Sequence, residues 1–196
     1  MATAAPAPSA YSRAAIVLHW AMALLILGNL AGGFWMASLF EAEDPAARDL
    51  GFRLVQLHKS TGLTILLLAL ARLALRLREG FPPLPEHMTG NERRLARLTH
   101  WGFYALMIGL PLSGWAMVSM SPLGLPTLWF GLFEWPHLPL ATSKPGAEAA
   151  GGVHEALAFG AIALLLLHVA GALKHHFLDR DDVLARMIPA LRARRP

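Results

Sequence analysis

The chain has 196 residues, 55% of them hydrophobic and 15% charged, where soluble domains carry roughly 25% charged residues. That imbalance excludes an ordinary water-soluble globule, and the absence of cysteine excludes disulfides, iron–sulfur clusters, thiolate ligands and cysteine nucleophiles. The net charge of +4 does not point to nucleic acid, because the basic residues flank long apolar runs instead of forming a stripe on a polar surface.

Residues 1–12 read as a flexible N-terminus, with Ala2 to Ser9 as its disordered end. A helix needs about 20 mostly apolar residues to cross the hydrocarbon core. The first such span covers about 14–40, with Ile16 to Phe40 free of charge. It is too long for the apolar region of a signal peptide and no small-residue cleavage site follows it, so it reads as a retained span. The second, about 54–77, has a charge-free middle from Ser60 to Ala71, with Lys59, Arg72 and Arg76 towards its ends, where long cationic side chains can snorkel. No charge appears from Thr99 to Phe133, but Pro122 marks the helix exit and sets the third span at about 98–120. The fourth, about 153–177, is built on the run Ala156 to Leu173, and residues 178–196 form a tail. The expected fold is an all-α membrane protein, a four-transmembrane-helix bundle forming a single domain over residues 1–196.

Lys and Arg accumulate on the cytoplasmic side of membrane proteins. Twelve lie at one end of these spans (Arg13; Arg76, Arg78, Arg93, Arg94 and Arg97; Lys174 and the five arginines after it) and four at the other (Arg48, Arg53, Lys59, Lys144). Both termini are therefore expected in the cytoplasm. Pro126 to Pro136, in the long outer loop, is too short and broken to span and apolar enough to cap the outer end of the bundle. In the tail, Val183, Leu184, Met187, Ile188 and Leu191 recur at helical spacing among arginines and read as an interfacial helix on anionic lipid.

The chemistry falls to the nine histidines, since ionisable groups inside membrane helices are costly and start as functional candidates. His154 and His168 lie 14 residues apart on one span, about 21 Å along the axis and on nearly one face. Depth counted from Arg13 and Lys174 makes His19 level with His168, places His58 with His154 in the outer half, and leaves His100, only about 4.5 Å from Arg97, shallower. The pairs His19 with His168 and His58 with His154 suit the two axial positions of a haem iron. Zinc fits less well, because its structural sites need four converging ligands. Gly28, Gly32, Gly33, Gly62, Gly109, Gly114, Gly160 and Gly171 could make room for a porphyrin, or simply let helices pack closely. Arg72 and Arg76, one turn apart, could pair with propionates or snorkel. His87 and His137 read as solvent residues in loops.

Tyr11-Ser12-Arg13 with His19-Trp20, Leu57-His58-Lys59-Ser60-Thr61-Gly62, the run Arg72 to Arg78, Trp129-Phe130-Gly131-Leu132, and His154-Glu155 with His168 and His175-His176-Phe177 together resemble the bacterial cytochrome b561 family, from Tyr11 to about Pro189. Val153 stands where that family commonly has tryptophan. The resemblance implies a multi-pass protein of the bacterial inner membrane with two b-type haems, ligated by His19, His58, His154 and His168. It would carry electrons between ubiquinone and a periplasmic one-electron partner, as a superoxide:ubiquinone oxidoreductase. The alternative is an electron-transfer cytochrome serving a periplasmic redox protein; a cofactor-free transporter is the third class. On the first reading Lys59 attracts superoxide, and His100, His175 and His176 donate hydrogen bonds or protons to the quinone.

Overall fold

The structure, a computed structural model, describes residues 10–80, 82–85 and 87–194, the last three by backbone alone. Its helices are α1 (Arg13–Phe40), α2 (Pro45–Glu79), α3 (Gly90–Met120) and α4 (Lys144–Phe177). All four are long and apolar enough to cross a membrane.

Local chemistry sets their starts. Ser12 caps α1 by accepting from the Ala15 N–H, Asp44 caps α2 ahead of Pro45, and Ser143 caps α4 through the Gly146 N–H. Thr89 and Glu92 form a reciprocal capping box on α3. At the C-terminus of α2, Gly80 adopts φ 76°, a conformation that a residue with a β-carbon rarely tolerates. These polar caps carry α2 and α4 to 35 and 34 residues, about 50 Å at 1.5 Å per residue, well beyond a hydrocarbon core of about 30 Å.

Neighbouring helices run antiparallel. Ser12 Oγ donates to Glu79 at 2.9 Å, joining the start of α1 to the end of α2, and Lys174 Nζ donates to Glu92 at 2.9 Å, joining the end of α4 to the start of α3. Both described termini thus share one end, the terminal end; the loop 121–143 lies at the other, the hairpin end. Helix α1 packs along α2, α2 along α3, and α3 along α4. Met22, Ile65 and Ala69 form a small buried core, with Met107 and Ile108 of α3 packed against it. Among the described residues, α4 leans on α3 and makes no comparable backbone seam with α1 or α2. Val17, Leu24, Leu77, Leu98 and Leu166 point outward and exposed, as lipid-facing side chains do.

The membrane part is helical, but the long loop adds a small β-hairpin, β1 (Thr127–Trp129) and β2 (Phe133–Trp135), antiparallel with Trp129 opposite Phe133. Residues 178–194 depart from the expected amphipathic helix. They form short 3-10 turns at Leu184–Arg186 and Pro189–Arg194, because Pro189 disfavours helical backbone at the residue before it. Ala185 is buried, and Met187 accepts a 2.8 Å hydrogen bond from the Trp20 indole, so the tail folds against the bundle. At the other terminus, Tyr11 lies 5.7 Å from the Arg76 guanidinium and Ser12 is bonded to Glu79, which ties down the part of the expected flexible end nearest α1. Ala2 to Ser9 lie outside the described residues.

Candidate functional site

At the hairpin end, the rings of His58 on α2 and His154 on α4 stand 6.1 Å apart. Two imidazole nitrogens bound to one metal ion at about 2 Å each, on opposite sides, put their ring centroids about 6 Å apart. His58 Nδ1 lies 3.2 Å from the Asn29 carbonyl, and His154 Nδ1 lies 2.9 Å from the Leu110 carbonyl and 3.1 Å from Ser113 Oγ. A carbonyl only accepts, so both rings carry their proton on Nδ1 and leave the Nε2 lone pair for a metal.

Two glycines make this possible. A β-carbon at Gly33 would lie 3.2 Å from His58 Cε1, and one at Gly114 would lie 3.1 Å from His154 Cε1. Both rings also border a cavity of about 550 Å³, walled by apolar side chains and by Asn29, Lys59, Gly62 and Glu155. That volume falls within the roughly 300–1,000 Å³ of ligand and cofactor sites. Gly28, Gly32 and Gly171 have open space beside them, whereas Gly109 and Gly160 meet leucine side chains.

At the terminal end, the rings of His19 on α1 and His168 on α4 are 6.2 Å apart. His100 on α3 also reaches His168, at 5.9 Å. Helix α3 begins at Gly90 and carries Arg93, Arg94 and Arg97 on a helical extension of the apolar segment. Arg72 crosses from α2 to donate to the Ala15 carbonyl at 3.0 Å, with its second terminal nitrogen 3.4 Å from His19 Nδ1. His100 Nδ1 is bound to the Ala96 carbonyl of its own helix at 2.7 Å.

The pairs His58–His154 and His19–His168 cross the α2–α4 and α1–α4 gaps, where no backbone seam closes the bundle. The pair His100–His168 instead spans the packed α3–α4 seam, where a β-carbon at Gly102 would already lie 3.1 Å from Leu164. A flat macrocycle fits a gap and not a packed seam. At the terminal end His100 adds a third ring beside His168, but among the described residues no three donor atoms at either gap-crossing pair lie within 4.8 Å of one another, and no fourth ligand completes the sphere that structural zinc requires.

Residues 10–190 match the model of the prokaryotic cytochrome b561 family. The chain belongs to that family. It is 32% identical to cytochrome b561 homolog 2 of Escherichia coli strain K12 over 92% of each chain, and 32% identical to the probable superoxide oxidase CybB of Yersinia pestis over 93% of this chain and 97% of that one. Cytochrome b562 of Cereibacter sphaeroides is 29% identical over 91% and 94%. Membership in the cytochrome b561 family implies electron transfer by b-type haem in a multi-pass bacterial membrane protein, and the donor set, glycine cradles and cavity fit that group.

The other candidate residues of this cytochrome b561 chain are placed as follows. Lys59 borders the cavity and donates to the Pro126 carbonyl at 2.6 Å. Arg76 lies against Tyr11. His176 contacts Phe177, while His175 is turned onto Asp181 and Asp179. His87, expected in solvent, joins that same cluster through Asp181 at 3.1 Å. His137, also expected in solvent, has its Nε2 buried with no hydrogen-bond partner.

Sequence reasoning passed over the polar row Gln56, Ser60 and Thr64 on α2. Gln56 accepts from Leu128 N and donates to the Pro126 carbonyl; Ser60 donates to the Leu128 carbonyl and accepts from Phe130 N; Thr64 accepts from the Trp129 indole. The row fastens the β-hairpin beside Lys59. Its four-residue spacing in an otherwise apolar span was the available signal.

Proposed function

We propose that this cytochrome b561 family member carries electrons in the bacterial inner membrane, oxidising superoxide on the periplasmic side and reducing ubiquinone. His58 and His154 would hold one b-type haem and His19 and His168 a second, with Arg72 and Arg76 as countercharges for the propionates. When bound, the haem supplies reversible one-electron chemistry. The observation that carries this reading is that both histidine pairs bridge the gaps between α4 and the α1–α2 hairpin.

The chain's own groups do the rest. The Asn29 and Leu110 carbonyls keep the His58 and His154 rings in the ligating tautomer. The twelve-to-four distribution of basic residues supports cytoplasmic termini and a periplasmic hairpin end. There Lys59 keeps two donors beyond its bond to Pro126 and offers positive charge to a small anion. Two superoxide anions each lose one electron and leave as dioxygen; two electrons and two protons convert ubiquinone to ubiquinol. At the terminal end His100, with Nδ1 already satisfied, and His176 are the proposed quinone contacts. His175 is committed to carboxylates and is assigned no such contact.

Service to a periplasmic redox protein is the second reading, favoured by the exposure of Leu132 and Phe133 on the hairpin. Stopped-flow mixing of the oxidised protein with superoxide separates the two. Prompt haem reduction followed by quinone-dependent reoxidation is expected; b-type haems that superoxide does not reduce would leave the second reading, and absence of haem would remove both.

A further inference from the structure

A second cluster lies at the terminal end, apart from the four proposed haem ligands. His87 comes from the connection between α2 and α3, His175 from the last turn of α4, and Asp181 from the tail. One ligand atom from each lies within 4.8 Å of the other two. Asp181 Oδ2 is 2.7 Å from His175 Nδ1 and 3.1 Å from His87 Nε2, so one carboxylate oxygen faces two imidazole nitrogens. The other Asp181 oxygen accepts from the Val183 N–H at 2.9 Å, which orients the carboxylate. Asp179 lies beside the cluster, its Oδ2 3.0 Å from His175 Nδ1 and paired with Lys174 at 2.7 Å.

We infer that His87, His175 and Asp181 form a binding site for a borderline first-row divalent cation of the zinc class, which joins the α2–α3 connection, the end of α4 and the tail. Two imidazoles and a carboxylate without thiolate suit zinc, whereas calcium and magnesium call for oxygen ligands throughout. Ligand distances of about 2.0–2.1 Å in a tetrahedral site separate neighbouring donors by about 3.3 Å; the two nitrogen–oxygen distances of 2.7 and 3.1 Å would open by about 0.6 and 0.2 Å, and the two nitrogens already lie within 4.8 Å of each other. The fourth position would be taken by water. The Asp181 side chain is 7% exposed and that of His87 55% exposed, giving a desolvated anchor and a route of entry. The same segments are joined by a bond from the Arg186 guanidinium to the Pro83 carbonyl, so the cluster is assembled before any ion arrives.

The test uses the purified, haem-loaded chain in detergent, stripped with a chelator and titrated with zinc by calorimetry, with bound metal measured after gel filtration. One zinc per chain is expected, with imidazole scattering at the zinc absorption edge and a raised melting temperature. His87→Ala and Asp181→Asn should each weaken binding at least tenfold at unchanged haem content, and His137→Ala should leave it intact. His87 lies in a loop, so its variant tests the site without burdening the fold. No zinc retained by the parent chain, or equal affinity in both cluster variants, would overturn the site and leave a plain set of His–Asp ion pairs.

Discussion

Gly114 holds its place against His154: a β-carbon there would lie 3.1 Å from Cε1 and 3.3 Å from Nδ1 of the imidazole. Gly33 stands in the same relation to His58 on the other side of the pair. Each ring is therefore held between a carbonyl that fixes its tautomer and a glycine that fixes its depth in the gap.

Gly114→Ala should push the His154 ring by a few tenths of an ångström, at a cost of about 1–3 kcal/mol for overpacking. The expected signature is a shifted or broadened low-temperature α-band for one haem, with the other unchanged. Gly90→Ala, at the exposed first turn of α3 with nothing within 4 Å, is the control and should leave both bands alone.

Because the two pairs share α4 but lie about 21 Å apart along it, they should fail separately. His154→Ala should lose mainly the haem shared with His58, and His168→Ala the one shared with His19, as read by haem-to-protein ratio and reduced-minus-oxidised spectra. His19→Ala should lose a haem while His100→Ala keeps two. The reverse result would assign the His168 partner to α3.

Ser60 is fully buried and serves three hairpin or helix backbone groups. Ser60→Ala leaves the Phe130 N–H without that acceptor, and because the bond is only part-buried the loss should stay at about 1 kcal/mol. Phe130 already sits at φ 49°, an uncommon conformation for a bulky residue, so the hairpin should loosen first. Faster proteolysis within 121–143, ahead of any loss of helix by circular dichroism, is the expected result.

Trp20→Phe removes the indole bond to the Met187 carbonyl. The bond is exposed, so the global loss should stay within about 1 kcal/mol. The effect should be local, with faster cleavage in the tail after residue 178 and little change in bundle melting.

Much of this architecture is local and could be read from the chain directly. Four apolar runs and the alignment of His154 with His168 on one helix face depend on residues within a few turns of one another; the caps at Asp44, Thr89 and Ser143, which the hydropathy reading passed over, start α2, α3 and α4 eight or nine residues ahead of the expected spans. Family motifs add the candidate ligand set. Other features depend on how whole helices meet. Depth counted from arginines set His100 apart from His168, yet the packing of α3 on α4 brings the two rings to 5.9 Å. Tail periodicity suggested a lipid-facing helix, and Pro189 together with the docking of Met187 on Trp20 produced a folded tail instead. His87 and His175 are 88 positions apart in number and became neighbours only when the tail brought Asp181 between them. Composition and period determine which segments enter the membrane and which residues they carry. Only the tertiary structure decides which seams close by backbone packing and which stay open, because that depends on side chains from three or four helices competing for the same volume.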